Sequence, residues 1–295
     1  LQDTVVVQTT VAIPTRVLVL GMAHRDGTIH AEELFPVAAA SGQSAEQVRS
    51  CLRRLVAEGL FVRHGTGSVA RYEATPDGMA AITNGIARTR LAYALDAAGR
   101  GWDRHWHLAA FAIPEERRPA RDAFRDRLLR LGGAPVQGGL YVSALDWDTE
   151  VRDAAKRLDV TSLVTLITTD ELEIAGQRDA RDLARRLWPI DELRQRYEDF
   201  VTRFGEVPAA LDHMRKRKER LSDADFLPAA LTMAVAFQEC FERDPLLPPE
   251  LLPRPWPGKA ARDLVAVSRR LALNLRQAHG RPALFHLFDA AVDHL

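Results

Sequence analysis

SAEQVRSCLRRLVAEGLFVRHGTGSVARYE, residues 44–73, decides the fold of the N-terminal region. Ser44 suits a helix N-cap, and Gln47 three residues on completes a capping-box pattern ahead of an amphipathic run to about Glu58. On a helical wheel Ala45, Val48, Leu52 and Leu55 fall on one side, while Gln47, Ser50, Arg53 and Arg54 gather on the other. One face packs and the other is presented. Gly59 ends the helix, Leu60–His64 and Val69–Glu73 read as strands, and Gly65-Thr66-Gly67-Ser68 joins them as a hairpin turn. A helix running into such a hairpin predicts a winged helix-turn-helix.

Arginine bonds guanine edges and phosphates, and serine and glutamine bond either, so the presented face has the chemistry of a DNA reader. The candidate DNA-binding residues are Ser44, Gln47, Arg49, Ser50, Arg53 and Arg54 on the helix and Arg63, His64, Ser68 and Arg71 on the wing. The glycine pair at 65 and 67 opens no helix, which argues against a phosphate-binding loop. Winged helices also serve as pure protein-protein modules, and the arginines favour DNA.

Working outward, Pro14 precedes a short buried helix over Thr15–Met22, Gly27 punctuates it, and Thr28–His30 reads as a strand. Ala31–Ala40 carries Leu34, Val37 and Ala38 at helical spacing, and Ser41-Gly42-Gln43 turns the chain into the reading helix. Downstream, Thr75-Pro76-Asp77-Gly78 closes the domain, and a connecting helix runs from Met79 to about Ala97.

The texture changes near Trp102. His105–Ile113 reads as a strand stopped by Pro114, a helix follows from about Glu116 to Leu131, and Ala134–Gln137 and Leu140–Ala144 flank the turn at Gly138-Gly139. Asp148–Leu158 is helical and Ser162–Thr168 is a strand, which gives β-α-β-β-α-β, the ferredoxin-like order. His105 and His107 alternate on one strand face, but with no cysteine or third histidine nearby they read as packing or surface residues rather than ligands. Asp146 and Asp148 read as helix-end residues.

From about Asp179 the chain is largely helical, with Leu183, Leu187, Leu193, Tyr197, Phe200 and Phe204 on apolar faces interrupted at Pro189 and Gly205. The basic run Met214–Arg220 reads first as a solvated face and second as a phosphate contact. Asp244–Gly258 is too rich in proline for a helix and too apolar, with its leucines and Trp256, to stand in water. It predicts an ordered strap pinned across the helices. Helices over Lys259–Ala278 and Ala283–Leu295 follow.

Length and composition fit this plan. The 295 residues, 46% hydrophobic and 27% charged, predict an α+β multidomain protein: a winged helix-turn-helix over 1–78, a connecting helix over 79–100, a ferredoxin-like central domain over 101–175 and a helical C-terminal domain over 176–295. A formal net charge of zero argues against indiscriminate coating of nucleic acid. Cys51 and Cys240 read as small core hydrophobes, and the absence of an apolar run of membrane-spanning length predicts a cytoplasmic protein. No serine elbow, nucleotide loop or metal-ligand spacing is present, so no catalytic residue, cofactor or metal is expected and the chain reads as a non-enzyme.

Several of these residues together resemble the PaaX family of bacterial regulators, named for repressors of phenylacetate breakdown. They are the helix Ala45–Leu55 leading into Glu58-Gly59-Leu60, the Trp102-Asp103-Arg104-His105-Trp106 entry to the middle strand, Ile113-Pro114-Glu115, and the strap from Asp244-Pro245-Leu246-Leu247-Pro248 to Trp256-Pro257-Gly258. The resemblance implies a dimeric repressor whose winged helix binds a double-stranded DNA operator and whose other domains bind a small-molecule effector, phenylacetyl-coenzyme A in named members. The family often places a histidine and a basic pair before the strap, where this chain reads Val235-Ala236-Phe237-Gln238-Glu239. The middle domain is similar to small CRISPR-associated nucleases whose first strand ends in a catalytic aspartate. Here Ala112 follows Phe111, which predicts no cleavage. The competing readings are a metal-dependent nuclease built on that domain and a winged-helix scaffold that binds only proteins.

Overall fold

The computed structural model describes residues 14–99 and 101–276, without the side chains of 84–87 and 223–225. The expected helix over Ala283–Leu295 lies outside the described residues. The chain forms two compact units, and neither is one continuous segment. The first comprises residues 14–93, 198–239 and 259–276, and the second residues 94–197 and 240–258.

In the first unit, α1 (Thr15–Gly21), β1 (Thr28–His30), α2 (Ala31–Ala40) and α3 (Ala45–Ala57) precede β2 (Phe61–His64) and β3 (Arg71–Ala74). The three strands form an antiparallel sheet in the order β1-β3-β2, with Ile29 opposite Tyr72 and Arg63 opposite Tyr72 from the other side. Apolar side chains from each element meet in one core: Leu18, Ile29, Leu34, Val48, Leu52, Leu55 and Phe61 are buried together. Phe226, Leu227 and Leu231, from far along the chain, complete that core.

Three local expectations change here. Ala45 is exposed, because the first turn of α3 projects beyond the core, and Cys51 takes the fourth buried position. The wing turn is longer than a two-glycine hairpin: a 3-10 turn over Gly67–Val69 leaves Val69 outside the strand. The helix expected from Met79 begins three residues earlier, at Pro76. Helix α4 (Pro76–Ala98) starts at the proline, whose missing N–H costs nothing in a first turn, and the Thr75 hydroxyl accepts the Gly78 N–H at 3.1 Å.

In the second unit, β4 (Trp106–Phe111), α5 (Arg118–Arg130), β5 (Ala134–Gln137), β6 (Leu140–Ser143), α6 (Asp148–Arg157) and β7 (Val164–Thr169) realise β-α-β-β-α-β. The antiparallel sheet order β5-β6-β4-β7 is the ferredoxin-like arrangement. Alternation along β4 sends Ala109 and Phe111 to the face covered by α5 and α6, where Phe124, Leu128, Trp147 and Val151 pack. Trp106 and Leu108 point to the opposite face.

That opposite face is where the strap lies, together with α7 (Ala180–Leu187). Leu247, Leu251 and Leu252 join Trp106, Leu108, Leu183 and Trp188 in one cluster, so the strap is pinned over the sheet and α7 and not across a set of helices. Its polar anchors are specific. Tyr197 Oη donates to Asp244 Oδ2 at 2.8 Å, Asp244 Oδ1 accepts the Leu246 N–H at 2.8 Å, and the Glu250 carboxylate accepts the Gly101 N–H at 3.1 Å. The remaining helices are α8 (Ile190–Phe204), α9 (Val207–Lys216), α10 (Asp223–Phe241) and α11 (Pro257–Leu275). None in the described residues is long and apolar enough to cross a membrane.

His105 and His107 do not form a pair on one strand face. His105 precedes β4 and is exposed, its Nδ1 lying 2.9 Å from the Asp103 carbonyl oxygen, whereas His107 is buried within the strand. Asp146 behaves as read, its Oδ1 accepting the Asp148 N–H at 3.0 Å at the start of α6.

Candidate nucleic-acid interface

The four buried residues of α3, Val48, Cys51, Leu52 and Leu55, fix the helix against the core and thereby decide what it presents. Both halves of the capping box form: Ser44 Oγ accepts the Gln47 N–H at 3.2 Å and Gln47 Oε1 accepts the Ser44 N–H at 2.7 Å. These two side chains, predicted to meet DNA, are thus turned back on the start of their own helix. Ser50 is half-buried, and Arg49, Arg53 and Arg54 are exposed.

Sequence reasoning missed Glu46, which sits among the presented arginines. One carboxylate holds two guanidinium groups, with Arg53 at 2.9 Å from Oε1 and Arg49 Nε at 3.3 Å from Oε2. The hydrogen bond from Arg53, then that from Arg49, holds the Glu46 carboxyl below its ordinary range. The signal was present in the spacing, since Glu46, Arg49 and Arg53 fall three and four residues apart on successive turns.

The wing repeats the arrangement. Glu73 Oε2 stands 3.4 Å from both Arg71 and His64 Nε2, and register places His64 directly opposite Arg71. Arg54 and Arg63 make no ion pair with the described residues, and Ser68 sits exposed in the 3-10 turn of the wing. The interface therefore divides into cations tethered to a carboxylate (Arg49, Arg53, His64, Arg71) and untethered ones (Arg54, Arg63). The basic run near the end of α9 is likewise mostly neutralised: Asp212 holds Arg215 at 2.6 Å and Lys216 at 2.8 Å, and Arg217 pairs with Glu219 at 2.7 Å.

Comparison with known proteins gives the family. A model described as the PaaX protein central Cas2-like domain matches residues 99–184, and one described as the PaaX-like protein C-terminal domain matches residues 188–279. The chain belongs to the PaaX family. Membership places it in a family of transcriptional regulators, and the first match falls on the βαββαβ sheet described above. Among solved structures, this PaaX-family chain is similar to the uncharacterized protein Rv0674 from Mycobacterium tuberculosis, with 24% identity and a TM-score of 0.53 over 90% of this chain and 96% of that one. That likeness shows the fold. No curated protein matches the chain in sequence.

The aromatic residues of the helical region are largely structural. Tyr197, Phe200 and Phe204 are buried, Phe200 and Phe237 stack edge to face at 5.7 Å, and the Trp188 indole donates to the Gly132 carbonyl at 2.9 Å.

Proposed function

We propose that this chain is a DNA-binding transcriptional repressor whose α1 to β3 segment is a winged helix that docks on double-stranded operator DNA, with α3 in the major groove. The observation that carries this reading is the outward side of α3, where the exposed Arg53 and Arg54 and the half-buried Ser50 sit opposite the buried Val48, Cys51, Leu52 and Leu55. The hairpin of β2 and β3 adds Arg63, Ser68 and Arg71 as backbone-contacting groups. Ser44 and Gln47 contribute by holding the first turn of the helix, and Arg49 stands ready to contact phosphate where Glu46 releases it. The protein acts in the cytoplasm as a homodimer, which presents equivalent helices to inverted half-sites. A small-molecule effector of the acyl-coenzyme A type releases it from DNA, as the family resemblance implies.

The protein acts by binding and not by cleavage. Its central sheet resembles a nuclease fold, but β4 ends at Phe111 and Ala112 follows without a carboxylate, so incubation with magnesium and labelled DNA yields no cleavage. The deciding experiment is fluorescence anisotropy with the DNA upstream of its own gene. Saturable binding is expected at low salt, weakened by about 1–3 kcal/mol in Arg53→Ala if that side chain reads a base edge. Failure to bind that DNA at low salt sinks the repressor reading and leaves the protein-binding scaffold.

A further inference from the structure

His107 stands on β4 on the same sheet face as Ala109, and its side chain is only 6% exposed. Its Nε2 lies 3.0 Å from Asp103 Oδ2, a carboxylate oxygen that accepts the ring N–H. The other nitrogen, Nδ1, is buried and has no hydrogen-bond partner. What faces it is negative. His107 pairs with Ser143 across the sheet, and the chain beyond β6 turns through Asp146-Trp147-Asp148 beside it. Asp146 Oδ1 is 3.9 Å from Nδ1, beyond hydrogen-bond distance, and Asp148 Oδ1 is buried without a hydrogen-bond partner. One donor atom from each of the three residues lies within 4.8 Å of the others.

His107 Nδ1 and Asp148 Oδ1 are two buried acceptors with nothing to accept from, which is costly, while Asp146 Oδ1 accepts the Asp148 N–H at 3.0 Å and Arg152 holds the other Asp148 oxygen at 2.9 Å. A cation between them removes that cost. The outer contact has the form such sites use, because a metal-ligating histidine gives its other ring N–H to a carboxylate, which fixes the tautomer. We propose that His107, Asp146 and Asp148 bind a divalent first-row transition ion, zinc or manganese, with Asp103 orienting the imidazole. One nitrogen and two oxygens suit such an ion better than calcium, which takes six to eight oxygens. Two donors at about 2.0–2.2 Å from one ion stand no more than about 4.4 Å apart, so the cluster closes by a few tenths of an ångström. Asp146, with a side chain 71% exposed, has room for that movement. The site lies at the Trp106 end of β4, opposite Ala112, so it ties the start of that strand to the turn that opens α6 and stands apart from a nuclease centre. It rests on no assumption about DNA binding.

The test uses the full chain stripped by a chelator and titrated calorimetrically with zinc chloride and with manganese chloride. One ion per chain is expected, with a rise in melting temperature and, on cobalt substitution, a visible absorption band. Asp146→Asn, exposed and away from the core, abolishes the binding while the metal-free melting temperature stays that of the parent. Asp103→Asn weakens it by about 10–100-fold, as loss of an outer-shell partner does. His107→Gln abolishes it as well. Absence of binding by both ions, or binding that Asp146→Asn and His107→Gln leave intact, overturns the proposal.

Discussion

Replacing Glu46 by Gln tests the interface at its least expected residue. The Glu46 carboxylate holds two guanidinium groups, at 2.9 Å and 3.3 Å, that would otherwise be available to phosphates. Each phosphate neutralised by a cation steepens the fall of log K with log salt by about 0.9 on B-form DNA. Freeing one or both arginines should therefore steepen the slope by about 0.9 to 1.8. Between roughly 200 and roughly 50 mM salt the variant would gain about 3- to 12-fold more affinity than the parent gains. Anisotropy titrations with operator DNA at four or five salt concentrations measure both slopes. Glu173→Gln is the control of equal charge, since its carboxylate pairs with Arg178 in the other unit and should leave the slope alone. An unchanged slope would place α3 away from the phosphates. Weaker binding with a shallower slope would mean that the carboxylate orients the arginines for DNA and does not withhold them.

Other consequences are open to measurement. A Cβ on Gly78 would lie 1.9 Å from the Leu60 carbonyl oxygen, which already accepts the Thr75 N–H at 3.0 Å. Crowding of that kind costs about 1–3 kcal/mol against at most about 1 kcal/mol of helix propensity gained, so Gly78→Ala should melt lower. Gly138→Ala, with open space around its Cβ, should stay within about 0.5 kcal/mol of the parent. Tyr197→Phe takes a donor from buried Asp244, and its urea midpoint should report a loss of about 1–3 kcal/mol. The Thr28 hydroxyl, then the Thr28 N–H, holds the Asp26 carboxyl below its ordinary value. A carboxyl depressed in the folded state adds stability that is fully present above its unfolded pKa and is lost as pH falls through the folded one. Parent and Asp26→Asn melting curves should accordingly converge as the pH drops below about 4, and curves that stay parallel there would refute the pairing.

Much of the N-terminal fold was legible because one residue in three or four carried the decision. Val48, Leu52 and Leu55 gave the buried face of α3, and Ser44 with Gln47 gave its first turn. The same pair shows where reading stopped: a capping side chain and a base-reading side chain are chemically identical, and only geometry assigns Gln47 Oε1 to the Ser44 N–H. Proline misled at Pro76, since it favours both the end of one element and the first turn of the next. The cluster around His107 was hidden for another reason. Its aspartates reach the histidine only through the pairing of β4 with β6, and strand pairing leaves no mark in local spacing.

The core under α3 contains Phe226, Leu227 and Leu231, which the chain supplies only after passing through residues 94–197 of the second unit. The α1 to β3 segment is therefore not a cassette. A gene fragment ending near residue 78 would encode a head whose apolar floor is missing, and its product should aggregate where the full chain stays monodisperse. For the same reason a single crossover at residue 78 would set this segment on a floor shaped by another sequence, because part of its core comes from residues 226–231.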